Sequence, residues 1–144
     1  MGPRPFDRGN SEEYPNYRSL EPDPSYREAE YGRLEVDVEE IRRIAAAAEA
    51  VVKDPVLVLE LGPRVRARIA ARGFAGHWQV IERARWEPGA ETDLRVGVNP
   101  RYLQDALDAV GGGPVWIRDA CKPLYFAWRD RYALVMPVRL PPGP

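Results

Sequence analysis

The chain has 144 residues, a formal net charge of −1, an apolar fraction of 44% and a charged fraction of 30%. That length fits one domain with a real core, and the near-even charge sets up no overall positive field to recruit nucleic acid or an anionic membrane, although a local basic face stays open. The lone Cys121 excludes an internal disulfide, and no stretch approaches the ~18 consecutive apolar residues of a membrane span, so a cytoplasmic location is expected.

Residues 1–30 hold five prolines, scattered tyrosines and few aliphatics, which cannot make a core and read as a tail or connector. From residue 31 to 140 the pattern is that of one folded domain, followed by a short tail at 141–144. LEVDV (34–38) alternates and predicts a strand. The stretch 37–52 predicts a helix. Asp37 can cap it, Glu39 and Glu40 sit in its first turn, and Ile41, Ile44, Ala45, Ala48 and Val52 form one stripe. PVLVLEL (55–61) reads as a strand. RVRARIAAR (64–72) sets Arg64, Arg66 and Arg68 opposite Val65, Ala67 and Ile69, the mark of a strand with one buried face. After the turn GFAG (73–76), HWQVIERARW (77–86) is expected to be one further strand.

The second half repeats the first. LRVGV (94–98) echoes LEVDV. Residues 99–110 predict a second helix, with Asn99 as cap, Pro100 in the first turn and Gly111-Gly112-Gly113 as its stop. PVWIRDA (114–120) matches PVLVLEL, and PLYFAWR (123–129) and YALVMPVRL (132–140) complete the set. The order β-α-β-β-β therefore occurs twice, offset by about sixty residues, as in a supersecondary unit duplicated within one domain. The expected fold class is α+β, with both helices side by side on one face of antiparallel sheet. The final strand is the counterpart of 77–86 and is apolar because it closes a sheet. Strand 64–72 or 123–129 is expected at an edge, where copies could associate.

Catalytic readings find little support. His77 is the only histidine and no Cys or carboxylate cluster has metal spacing. Cys121 has no recognisable base partner. The triple glycine follows a helix and no Lys-Ser/Thr comes after it, so it is a helix stop and not a phosphate loop. No enzyme activity, cofactor or metal is expected.

A doubled βαβββ unit that ends in Val135-Met136-Pro137-Val138-Arg139-Leu140 resembles the C-terminal (third) domain of the bacterial DNA polymerase III sliding clamp, its beta subunit. Asn99-Pro100-Arg101-Tyr102-Leu103 is similar to the family's Asn-x-x-Tyr-Leu at the start of a second helix. Tyr14-Pro15-Asn16-Tyr17-Arg18 is similar to the connector that enters the clamp's third domain, with Ser19 where the family often has a second Arg. Pro123 and Leu124 fit the step into the final hairpin.

The resemblance implies a clamp-type fold. Three such domains make a subunit, and two subunits close a ring with helices lining the hole. Only one domain is present here, so a ring would need single domains to self-associate. The resemblance also implies a peptide pocket bordered by Pro15, Tyr17, Leu20, Asn99, Tyr102, Pro123, Val135, Met136, Pro137, Val138, Arg139 and Leu140. Polymerases, the clamp loader and repair proteins would insert a Gln-Leu-x-Leu-Phe-like segment there. Met136 suits an adaptable apolar wall, Tyr102 an aromatic face, and Pro137 a strand edge with a ladder donor removed. Arg42, Arg43 and Arg101 are the implied contacts to double-stranded DNA, weak and non-specific, which would place the protein at the nucleoid. The Arg64/Arg66/Arg68 stripe belongs to a strand and is expected on the outer sheet, facing solvent. The implied function is a non-enzymatic clamp-like protein of DNA replication and repair. The alternative is a stand-alone interaction or regulatory module, such as the effector-sensing part of a transcription regulator.

Overall fold

The computed structural model describes residues 30–140. Pro15, Tyr17 and Leu20 lie outside the described residues, as do the expected tails apart from Glu30. In chain order the first repeat comprises β1 (Gly32–Val36), α1 (Val38–Val51), β2 (Val56–Leu61), β3 (Arg66–Ala71), β4 (Phe74–Ala75), β5 (Gln79–Val80) and β6 (Ala84–Glu87). The second comprises β7 (Leu94–Val98), α2 (Pro100–Val110), β8 (Val115–Ile117), β9 (Leu124–Trp128) and β10 (Arg131–Val135). All strand pairings are antiparallel.

The helices form where capping and apolar spacing agree. The Asp37 carboxylate accepts the Glu39 amide at 3.0 Å and opens α1. The Asn99 side chain accepts the amides of Arg101 and Tyr102 at 2.9 and 3.2 Å and opens α2. Gly111, at φ 88°, closes α2 by giving its amide to the Leu107 carbonyl at 2.8 Å. Ile41, Ile44, Ala45 and Ala48 of α1 and Leu103, Ala106, Leu107 and Val110 of α2 are buried. The helices run antiparallel: Arg42, early in α1, pairs with Asp108, late in α2, at 2.5 Å. At the other end, Gln104 donates to Glu49 at 3.2 Å.

The strands make two sheets. One has the order β10-β9-β8-β1-β6. The other has β4-β3-β2-β7, with β5 also paired to β3. Each sheet mixes both repeats. β1 pairs with β8 of the second repeat, and β7 pairs with β2 of the first. One continuous core joins Leu34, Leu57, Leu59, Val96, Val98, Ile117 and Phe126 to the buried stripes of both helices. Helix α1 rests on β2, and α2 on β9 and β10.

Three expectations need correction. The stretch 77–86 is two strands in different sheets: β5 pairs with β3, and β6 with β1. The corner between them is fixed by buried Ile81, whose amide donates to Val65 at 2.9 Å, and by Glu40, whose carboxylate accepts the amides of Glu82 and Arg83 at 3.1 and 3.3 Å. The stretch 132–140 divides the same way. Its strand stops at Val135, and after Met136-Pro137 the chain reaches the other sheet, where Val138 donates to Gly97 at 2.8 Å. Proline has no amide to continue the ladder. Finally, 123–129 is no edge, since β9 lies between β8 and β10, and β4 and β5 cover the outer side of 64–72. The first sheet ends at β10 and β6.

Candidate functional site

Where the end of α1 meets the start of α2, a groove of about 490 Å³ opens. Glu49, Val52, Lys53 and Asp54 line it from the α1 side, Asn99, Arg101 and Tyr102 from the α2 side, and Val138 from the terminal segment. Antiparallel packing of the helices creates it, because only then does the last turn of α1 stand beside the first turn of α2. Tyr102 is 59% exposed, whereas Leu103, one residue further along the helix, is 3% exposed and in the core. The Asn99 cap holds the first turn and so fixes where Tyr102 projects.

Val138 reaches the groove because Gly97 leaves room. A Cβ on Gly97 would sit 3.0 Å from Val56 Cγ1, 3.1 Å from the Val138 carbonyl and 2.8 Å from Leu140 Cδ2. The terminal segment therefore crosses β7 in close contact. Of the positions marked from sequence, Asn99, Tyr102, Arg101 and Val138 meet in the groove. Met136 is 56% exposed and Arg139 is exposed, but neither lines it. Pro137 and Leu140 are half-buried. Pro123 is buried, and Val135 belongs to the core, packed with β9 residues such as Leu124. Sequence reading missed Glu49, Lys53 and Asp54. They are about fifty residues from Tyr102 in sequence, and the only signal for them was the helix pairing that the repeat implied.

The helix layer is acidic. Across α1 and α2, Glu39, Glu40, Glu49, Asp105 and Asp108 stand against Arg42, Arg43 and Arg101, five against three. Arg42 is engaged by Asp108, and also by Glu39 at 3.7 Å. Arg101 lies 3.9 Å from Glu49 and is 73% exposed, and Arg43 is exposed. Among the described residues no three His, Cys, Asp or Glu side chains gather as a metal site, and no helix is long and apolar enough to cross a membrane.

On the far side of the second sheet, Glu60 stands in register with Arg66 on β3 and Arg95 on β7. It accepts from Arg66 Nε at 2.6 Å and from Arg95 Nη2 at 2.7 Å. The Arg95 hydrogen bond, then that of Arg66 and the charge of both, hold the Glu60 carboxyl below its ordinary range against the opposing effect of desolvation.

No protein-family model matches the sequence, and no curated protein matches it. Solved structures do. The DNA polymerase III beta chain of Streptococcus pneumoniae superposes with a TM-score of 0.64 at 22% identity, covering 88% of this chain and 34% of that one. The sliding clamp of Bacillus subtilis gives 0.67 at 19% identity with the same coverage. That of Bartonella birtlesii, bound to griselimycin, gives 0.68 at 16% identity, again over 88% and 34%. The chain thus has the fold of a sliding-clamp domain and spans about a third of the length of the clamps it matches. Identities this low carry the fold alone.

Proposed function

We propose that this chain is a non-enzymatic docking domain of the sliding-clamp kind. It receives short Gln-Leu-x-Leu-Phe-like segments of replication and repair proteins in the groove between α1 and α2. The observation that carries this reading is Tyr102, 59% exposed at the mouth of that groove. Tyrosine is among the side chains that anchor an interface once a partner covers them, with an apolar ring and a polar tip. Beside it, residues 136–140 meet β7 through the single bridge Gly97–Val138, which leaves main-chain groups for an extended partner. Mixed charge from Lys53, Arg101, Glu49 and Asp54 around the groove suits a polar peptide flank.

The acidic excess of the helix layer favours the stand-alone interaction module over a ring threaded on duplex DNA, because phosphates would meet five carboxylates and three guanidiniums. Weak duplex contact would fall to Arg43 and Arg101. The test is a titration of labelled protein with a Gln-Leu-x-Leu-Phe peptide, followed by NMR. Shifts are expected at Tyr102, Val138 and Lys53, and their absence at millimolar peptide would end the reading.

A further inference from the structure

Gly111 stops α2 at Val110, but the strands beneath the helix run on. Leu124, Phe126 and Trp128 alternate onto one face of β9, and their partners across the hairpin are Val135, Ala133 and Arg131 of β10. The first two pairs are buried beneath α2. The last pair, Trp128 and Arg131, reaches past the helix end and is exposed. The indole lies along the Gly112–Gly113 backbone so closely that a Cβ on Gly113 would come within 2.7 Å of Trp128 Cε3. Between the helix end and the hairpin opens a hollow of about 280 Å³, lined by Val110, Gly111, Trp128, Arg129, Asp130 and Arg131. None of these lines the groove at Tyr102, so the two readings stand or fall separately.

Two features set this shelf apart. Arg129 takes the first place of the two-residue turn with φ 59°, a left-handed backbone that glycine, asparagine or aspartate ordinarily fills. Residues held in such backbone gather where ligands bind. The second feature is charge without partners. Arg33, Arg42, Arg66, Arg85, Arg95 and Arg118 each meet a carboxylate. Among the described residues Arg129 and Arg131 meet none, and Arg129 touches only the Trp128 ring, 5.7 Å from its centroid. Asp130 stands between them, and α2 ends at the hollow with the partial negative charge of its last carbonyls. Two guanidiniums against Asp130 and a helix end are too little to hold an acidic chain by charge alone. Trp128 is also the one large apolar side chain exposed at this tip, too little to enter a bilayer. A nucleotide engages every group at once. Its base stacks on the indole, its amino group finds acceptors at Asp130 and the helix end, and its phosphate meets the guanidiniums. We propose that this shelf binds one nucleotide unit, free or within a single strand, with the base on Trp128 and the phosphate at Arg129 and Arg131.

The test is fluorescence anisotropy of a labelled single-stranded oligonucleotide of mixed sequence, about 12 nucleotides long, with the full chain at about 50 and about 200 mM salt. Saturable binding is expected, about 7-fold weaker at the higher salt, as follows from two neutralised phosphates at a log–log slope of about −0.7 each. Trp128→Ala should weaken it at least about 5-fold, the lower end of what one stacked base is worth, and Trp128→Phe should keep most of it. Arg131→Ala should make the salt slope shallower by about 0.7, the share of one phosphate contact. Arg129→Gly should raise the urea midpoint by relieving the left-handed turn and yet weaken binding, a combination that a purely structural residue does not give. Arg72→Ala, an exposed arginine just after β3 in the other sheet, should change neither affinity nor slope. A nucleoside monophosphate that displaces the strand, and whose own binding needs Trp128, makes the free nucleotide the occupant; failure to compete leaves the strand. The proposal is overturned by no saturable binding at the lower salt, by a folded Trp128→Ala that binds as the unaltered chain does, or by Arg72→Ala acting as strongly as Arg131→Ala. Should Trp128→Ala unfold by circular dichroism, Arg129→Gly decides, and unchanged binding there overturns it. It is equally overturned if phosphatidylserine vesicles or polyglutamate displace the oligonucleotide as well as unlabelled strand does at matched charge.

Discussion

At the scale of single residues, exposure separates side chains that hold the fold from those free to do something else. Tyr102 and Met136 are 59% and 56% exposed. Tyr102→Ala and Met136→Ala should each change unfolding free energy by no more than about 0.5 kcal/mol in urea denaturation, while Tyr102→Ala removes the peptide shifts. Phe126, 2% exposed, is the contrast: Phe126→Ala should cost about 3–5 kcal/mol. Glu60 gives a pH prediction. Its folded-state pKa lies below the ordinary 4.5, so its contribution to stability is present above that value and is lost as pH falls through the folded pKa. Glu60→Gln should therefore flatten the acid limb of a stability–pH profile below about pH 4.5 and leave its neutral slope alone. Little of this was readable in advance. Tyr102 sits one residue from Leu103, and helical spacing alone cannot say which neighbour of a stripe is covered. Nor could it foresee that Trp78 would lie over the arginines and leave Arg66 and Arg68 half-buried.

At the scale of elements, the sequence was far more informative, because caps and periodicity are local. Asn99 and Asp37 marked both helix starts, and Gly111 marked the end of α2. Asn99→Ala should cost about 1 kcal/mol and loosen the turn that carries Tyr102, visible as faster amide exchange at Arg101 and Tyr102. What sequence did not reveal was which sheet a strand joins. HWQVIERARW and YALVMPVRL each look continuous, yet each bends from one sheet to the other. The choice is made by distant groups: Glu40 for the first corner, and for the second the space over Gly97. Gly97→Ala should push the terminal segment off β7. An overpacked contact of this kind costs about 1–3 kcal/mol, and the Val138 amide should lose its exchange protection.

For the molecule as a whole, the paired repeats and the two opposed faces were legible from the doubled pattern, while the distribution of charge between those faces was not. Arginines that looked alike in sequence part company in space. Arg42 pairs with Asp108 between the helices, whereas Arg66 and Arg95 share Glu60 on the far side of the second sheet, beside the Trp78 indole. Association between copies has β10, β6 and the short β4–β5 edge available, and the last exposes Phe74 and Val80. Phe74→Lys should shift any self-associated species toward a single chain in light scattering, since a lysine on an open strand edge discourages pairing. The interleaving of repeats reaches further. Gly32 pairs with Ile117 and Leu57 with Val98, so each half of the chain supplies strands that the other half's sheet requires. Such pairings between remote segments slow folding, because chain must be brought together before contacts repay it. A polypeptide cut within the exposed stretch 91–93 should yield two fragments that are each unstructured alone and that regain the native far-ultraviolet spectrum when mixed. One copy of the repeat, made as a separate peptide, would lack these neighbours, and a second copy of itself, related by a two-fold axis, could supply strands of the same kind.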